Sequence, residues 1–418
     1  MMKFLKPTLL AAFAVAIACA APAAAQDKKP IKIGFGIAET GPLGPNGKSA
    51  LVAMEIWVEE TNAKGGLLGR PVELVHYDDQ SNPSTVPGIY TKLLDVDKVD
   101  LIVGGYGTNM VAPAMPVAIQ RKKTFLALYG LGVNDDFKYD RYFAMIPSGP
   151  EPKTSFTKGF FDTAMAQNPK PTTVAIVAAD AEFSKNASDG ARENAKKAGL
   201  KIVYDKSYPP STTDFSPIVR AIQATNPDLV VICSYPLDSV GMVMAANEAK
   251  LNPKMIGGAM VGLQSTVFKT KLGPALNGYM NYDFWLPAKS LMFEGTEAFM
   301  KKYQDRAAKA GVDPLGYYMA PFSYSYLDIL GKAIVGANSI DDAKLAEYLR
   351  KTTFKTIVGN IAFGKGGEWA KSRVFQAQFR GIKGNTVDQF KDPNTLAIIT
   401  PAEYKSGDVI YPFEKARQ

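Results

Sequence analysis

The sequence predicts an α/β protein of two lobes, each built on a doubly wound parallel sheet. Three observations carry this. Short apolar runs that read as strands alternate with segments whose apolar residues recur at helical spacing, the order expected of parallel sheets with crossover helices. The alternation stops near "RYFAMIPSGPEP" and then begins again. The chain, at 418 residues, also exceeds what one hydrophobic core usually holds, so two cores are expected.

Residues 1–25 stand outside this pattern. Lys3 and Lys6 precede an apolar run from Leu9 to Ala20, and Ala23-Ala24-Ala25 before Gln26 offers an A-x-A cleavage site. These are the marks of a secretory signal peptide, with cleavage expected after Ala25 and export of the mature protein. A lipoprotein leader would make Cys19 the new N-terminus, but Ala16 stands where such a leader usually has Leu. Beyond residue 26 no stretch is long and apolar enough to span a bilayer as a helix.

In the first lobe "IKIGFGI", "VELVHYD", "DLIVGG" and "TFLALY" read as strands. Leu51, Met54 and Val58 between them share one helical face, and Gly65-Gly66 supplies the stop. In the second, "TTVAIVAA", "KIVYDKSY", "DLVVICSY" and "KMIGGAM" are strands, with helices expected over 185–198 and 236–250. The segment "GYYMAPFSYSYLDILGKAIVGA" reads as a helix whose stripe of Tyr318, Phe322 and Tyr326, four apart, is expected in the core. Short strands "GNIAF" and "SRVFQAQFRG" follow, separated by "GKGGEWAK".

Composition narrows the function. The formal charge of +8 is spread along the chain with no basic block carrying interleaved aromatics, so no nucleic-acid partner is expected. Once the leader is removed Cys233 is the one cysteine left, in the apolar run "PDLVVICS". It can form no disulfide within the chain and reads as a small core residue.

Catalytic chemistry is missing. "GPLGPNGKS" looks like a phosphate-binding loop, but the first glycine that motif requires falls on Pro42, and Pro42 and Pro45 lack the N–H groups such a loop donates. There is no G-x-S-x-G elbow. His76 is the sole histidine and reads as a surface residue at a strand end. One His and one Cys cannot make a zinc site. Asp78 and Asp79 are neighbours on an extended chain, so they point apart and suit a turn better than an acid/base pair. No enzyme, metal or cofactor is therefore expected.

In sheets of this kind ligands lie at the carboxyl ends of the strands. There stand Tyr106-Gly107-Thr108-Asn109, opening a helix, and Tyr129-Gly130-Leu131-Gly132. Thr108 and Asn109 could be helix caps. With the helix amides they could instead hold a carboxylate, Tyr106 and Tyr129 walling a ring. The accompanying aromatics and glycines favour the second reading.

Four stretches, "TGPLGPNG", "ETNAKGGLLGRPVELVHYDDQSNP", "IPSGP" and "YPPSTTDFSPIVRAIQATNPDLVVICSY", come in the order found in a known family. Over most of residues 31–365 the chain resembles the periplasmic solute-binding proteins of ABC importers, of the branched-chain amino acid (Leu/Ile/Val) type. The resemblance implies a type I periplasmic-binding-protein fold of two Rossmann-like lobes joined by a three-crossover hinge. Lobe one would comprise 27–147 plus 276–360, and lobe two 148–275 plus 361–418 with the C-terminal tail. It further implies a periplasmic protein, a monomer, that hands a small molecule to permease subunits in the membrane.

The same resemblance places the site. Thr108 and Asn109 fall where the amino acid binders carry a serine-rich run that contacts the ligand carboxylate, and Gly130 and Leu131 where backbone groups assist. Phe183 replaces a cleft tyrosine, Asn46 replaces another aromatic, and Ser234 and Tyr235 fall at a further contact. Met260 falls where those binders hold the ligand ammonium with an acidic residue. Ser81 and Gly107 replace the family's disulfide cysteines. A closed cleft without that carboxylate would leave an ammonium unpaired. The ligand expected is therefore an aromatic or otherwise apolar carboxylate. A branched-chain amino acid, a small amide, or a sensory rather than a transport role is the alternative.

Overall fold

The computed structural model describes residues 29–417 together with Met1. The expected signal peptide, Met1 apart, and its cleavage site lie outside the described residues.

Strands β1 (Ile31–Ile37), β2 (Val72–Asp78), β3 (Leu101–Gly104), β4 (Phe125–Ala127) and β5 (Tyr142–Ala144) form one sheet in the order β2-β1-β3-β4-β5. Every neighbouring pair is parallel. The inner strands β3 and β4 are buried throughout, as continuous apolar runs require. Edge strand β2 is half-exposed and carries the polar residues Glu73 and His76. His76 stacks on Phe35 and meets Glu39 at 3.0 Å, a structural role at the surface. Asp78 folds the loop beyond β1 by accepting from the Glu39 and Thr40 N–H groups at 2.9 and 3.2 Å.

The second sheet repeats this winding. Its strands are β6 (Thr173–Ala179), β7 (Lys201–Tyr208), β8 (Leu229–Ser234), β9 (Met255–Met260) and β10 (Met280–Asp283). After a separate hairpin, β11 (Phe354–Thr356) and β12 (Gly359–Ile361), the strands β13 (Phe375–Phe379) and β14 (Leu396–Thr400) complete it in the order β14-β13-β10-β9-β8-β6-β7. Cys233 lies on β8, buried and free. Helices Thr296–Ala310 and Ala320–Ala337 pack on the helix Gly44–Ala63 of the first lobe.

Three crossovers join the lobes: from β5 to the helix Pro152–Met165, from β10 to the helix Thr296–Ala310, and from the β11–β12 hairpin to β13. Two features depart from the sequence reading. β10 pairs with β9 in the second sheet, so the chain returns to the first lobe after Asp283 and not at residue 276. β13 runs antiparallel to β10, and β14 to β13, so the sheet is mixed. The carboxyl ends of the parallel strands face the crossovers. A segment arriving from the other lobe enters at that end and must run the opposite way.

The loop that resembled a phosphate cradle is packed shut. A Cβ on Gly47 would lie 1.8 Å from the carbonyl oxygen of Ala38, so glycine is required there for the helix to abut the loop.

Candidate functional site

In both sheets the strand order reverses beside the first strand of the lobe, the switch point where α/β sheets bind ligands. Each lobe presents residues from equivalent places. Leu43 follows β1, Tyr106 to Asn109 follow β3 and Tyr129 follows β4; opposite them, Phe183 follows β6, Tyr235 follows β8 and Val261 follows β9. With Ile146 of the first crossover, Tyr282 of β10 and Tyr318, they line a narrow cavity of about 20 Å³, which a ligand enters only when the lobes part.

Aromatic rings wall it. Tyr129 packs edge-on to Tyr106 at 6.1 Å between centroids and lies 5.2 Å from Tyr318. Phe183 packs edge-on to Tyr235 at 6.0 Å and lies 6.2 Å from Tyr282. Phe284 and Phe322 support these rings from behind, each against Tyr129. Such stacks hold the walls rigid with little side-chain entropy left to lose on binding.

The polar groups are biased toward donation. Thr108 Oγ1 accepts the Leu131 N–H at 3.0 Å. Tyr106 Oη accepts Asn46 Nδ2 at 2.8 Å, and Tyr235 Oη accepts the Phe183 N–H at 3.2 Å. Each hydroxyl is thus engaged as an acceptor and keeps its own proton to give. Tyr282 Oη and Tyr318 Oη lie 3.2 Å apart; one proton serves that bond and the other is free. Tyr129 spends its proton on the Tyr318 carbonyl at 2.9 Å. Burial pushes the Tyr106 phenol up to about 12 and those of Tyr235, Tyr282 and Tyr318 above their ordinary range, so all remain protonated at neutral pH.

The helix Thr108–Gln120 begins at the cavity. Its N-cap is Gly107, at a φ of 98°, and no side chain caps it. Thr108 and Asn109 therefore do not serve as caps. Their own N–H groups open the helix and have no intrahelical acceptor. Asn109 Oδ1 is buried without a partner.

No lining residue carries a charge. Two carboxylates adjoin lining residues in sequence: Glu182 precedes Phe183 and acts on the Tyr235 phenol, and Asp283 follows Tyr282 on β10 and so points to the other face. Asp283 accepts the Phe284 N–H at 2.8 Å. Burial raises it to about 6, with Lys269 opposing that shift.

Of the residues singled out from the sequence, Tyr106, Thr108, Asn109, Tyr129, Phe183 and Tyr235 meet at the cavity. Asn46 stands one bond behind, on Tyr106. Gly130 and Leu131 sit behind the wall, Gly130 against Tyr142 and Leu131 tied to Thr108. Ser234 is turned inward to Ser239 at 2.8 Å. Met260 is buried, its backbone held at both ends by the Asn281 side chain, and Val261 takes the place beside the cavity. Leu43, Ile146, Val261, Tyr282 and Tyr318 were not foreseen. Tyr318 precedes its helix, which starts only at Ala320, so it faces the site while Tyr326 stays in the core.

Comparison with known proteins places this arrangement. Residues 30–384 match the family model described as periplasmic binding protein. The chain belongs to that family. A Leu/Ile/Val-binding protein homolog 7 of Brucella melitensis is 28% identical over 303 residues, covering 69% of this chain and 74% of the relative. A leucine-binding protein from Thermotoga maritima superposes with a TM-score of 0.73 at 21% identity, covering 85% of this periplasmic binding protein and 96% of the other. A solute-binding protein of an ABC transporter from R. palustris, in complex with 4-hydroxybenzoate, does so with a TM-score of 0.73 at 19% identity, covering 91% and 98%. These structural likenesses establish the type I fold. They include binders of both an aliphatic amino acid and an aromatic acid.

Proposed function

We propose that this protein captures a small aromatic carboxylate between its lobes in the periplasm and delivers it to the permease subunits of an ABC importer. The observation that carries this reading is an uncharged cavity whose polar groups are weighted toward donors, with Asn109 Oδ1 an unpaired acceptor among them. Three hydroxyls, on Thr108, Tyr106 and Tyr235, are each held as acceptors by an N–H behind them and offer protons inward. The amides that open the helix Thr108–Gln120 add to this set. A carboxylate accepts and never donates when ionised, so it matches. An α-amino acid would bring an ammonium that finds no lining carboxylate, at a desolvation cost of several kcal/mol.

The walls supply the rest. Six aromatic side chains, on Tyr106, Tyr129, Phe183, Tyr235, Tyr282 and Tyr318, border the cavity, and edge-on packing on an aromatic ligand suits their arrangement. The R. palustris complexes with benzoate and 4-hydroxybenzoate show that the fold accommodates such acids in other proteins. The carboxylate docks on the first lobe through Thr108 and the helix amides. Closure of the second lobe then brings Phe183 and Tyr235 over the ring and excludes water, which strengthens each bond already made.

A thermal-shift screen of small metabolites tests this. Aromatic carboxylates should stabilise the protein, by about 2.7 kcal/mol at 100 times the dissociation constant, and leucine, isoleucine and valine should leave it unchanged. Stabilisation by the amino acids alone would refute the reading.

A further inference from the structure

Among the described residues two hydrogen-bonded contacts, one buried and one half-buried, cross between the lobes without touching the cavity. On one side Asn186, on the helix Glu182–Lys197 of the second lobe, donates through Nδ2 to the Leu131 carbonyl of the first lobe at 2.8 Å. The N–H of the same Leu131 donates to Thr108 Oγ1. One residue behind the site is thus tied through one side of its backbone to the ligand-facing hydroxyl and through the other to the opposite lobe.

The second contact lies between the segment joining helices Thr296–Ala310 and Ala320–Ala337, in the first lobe, and the helix Thr266–Leu272 of the second. Asp313 accepts the Thr266 N–H at 2.8 Å and the Thr266 hydroxyl at 2.6 Å. Its carboxylate is held ready by the Leu315 and Gly316 N–H groups of its own lobe at 3.0 and 2.9 Å.

We infer that Asn186 and Asp313 are closure clasps: positioning residues that set ligand affinity by stabilising the closed lobes, without contacting the ligand. The physical reason lies in the alternatives each group has. With the lobes apart, water satisfies the Leu131 carbonyl and the Thr266 N–H. Closing buries both, and without the clasp each would be buried unpaired, which opposes closure. Asp313 is organised in advance by its own loop, so little entropy is lost when Thr266 arrives. Because Leu131 joins Thr108 to Asn186, a ligand that orders Thr108 also orders the carbonyl that the second lobe must meet.

The test uses Asn186→Leu and Thr266→Val, each close in shape to the native residue, with benzoate as the probe. Small-angle scattering gives the radius of gyration with and without benzoate, and stopped-flow displacement gives the dissociation rate. Each variant should keep the wild-type circular dichroism, show a larger radius of gyration, and release benzoate about tenfold faster at an unchanged association rate. The inference does not depend on which solute the cavity takes. If benzoate fails to bind the wild type and L-leucine binds instead, the proposed function falls, and the clasps are judged on the same radii and release rates with L-leucine. Radii indistinguishable from wild type in both variants would overturn it.

Discussion

Thr108 meets Leu131 through a single hydrogen bond, Oγ1 accepting the backbone N–H at 3.0 Å, deep behind the cavity. That bond engages the hydroxyl as an acceptor and leaves its proton to be given to a group in the cavity. Thr108→Val keeps the shape and removes both functions, so it should weaken an aromatic carboxylate by roughly 1.5–3 kcal/mol, the range for a hydrogen bond to a charged group. Thr108→Ser should remain near wild type. Titration calorimetry of the two variants reads the difference, and equal loss in both would mean that packing, not the hydroxyl, holds the ligand.

Tyr235→Phe isolates the second-lobe donor. It leaves the ring in place but strips the Phe183 N–H of its acceptor, so it should cost about 1–3 kcal/mol of affinity through an unsatisfied buried donor and a lost ligand bond. Asn46→Leu should have a smaller effect in the same direction, since it releases Tyr106 Oη to accept elsewhere without removing it.

Phe183→Ala should lose roughly 1.5–3 kcal/mol of affinity through apolar contact. Tyr318→Ala should lose as much, and it is the sharper case because it also removes the Tyr318 Oη bond to Tyr282, while the backbone carbonyl that accepts from Tyr129 stays. Tyr326→Phe, in the core of the helix that Tyr318 precedes, should leave affinity unchanged. Calorimetry on the three variants separates the wall from the core.

Asp283 makes stability depend on pH. Its folded-state value of about 6 lies above the ordinary 3.8, and desolvation is the first cause. A group raised in this way contributes stability that is fully present below the unfolded value and is lost as pH rises through the folded one. Between pH 4 and pH 7 the contribution that disappears is about 2 kcal/mol. Urea unfolding of Asp283→Asn beside the wild type should show their stability gap moving in favour of the variant as pH rises. A constant gap would contradict the assignment. Asp79, raised to about 6 by the same cause, should add to the slope common to both proteins.

Much of the fold was legible. Strands such as "TTVAIVAA" and "DLVVICSY" announce themselves because a central parallel strand is buried on both faces and reads as an apolar run. The C-terminal strands were harder. β13 was read within "SRVFQAQFRG" although its Gln376 and Gln378 are buried polar residues, but β14 was not, and the antiparallel direction of β13 depends on where the chain re-enters the sheet. The first-lobe part of the site showed itself because glycines and aromatics stand at strand ends. Tyr318 was hidden by its helical spacing to Phe322 and Tyr326, which a sequence cannot distinguish from a core stripe until the helix start is known. Met260 and Ser234 misled because the residues that reach a cavity depend on the twist at the strand end, where one position shifts the side chain to the other face.

Titration calorimetry with 4-hydroxybenzoate and, separately, with L-leucine weighs the uncharged, donor-weighted cavity against the amino acid alternative. The uncharged lining and inward-facing hydroxyls predict binding of the aromatic acid with a dissociation constant on the order of 1 μM or tighter, near −8 kcal/mol, and no measurable heat from leucine. Tight leucine binding with none by the aromatic acid would contradict this account of the site.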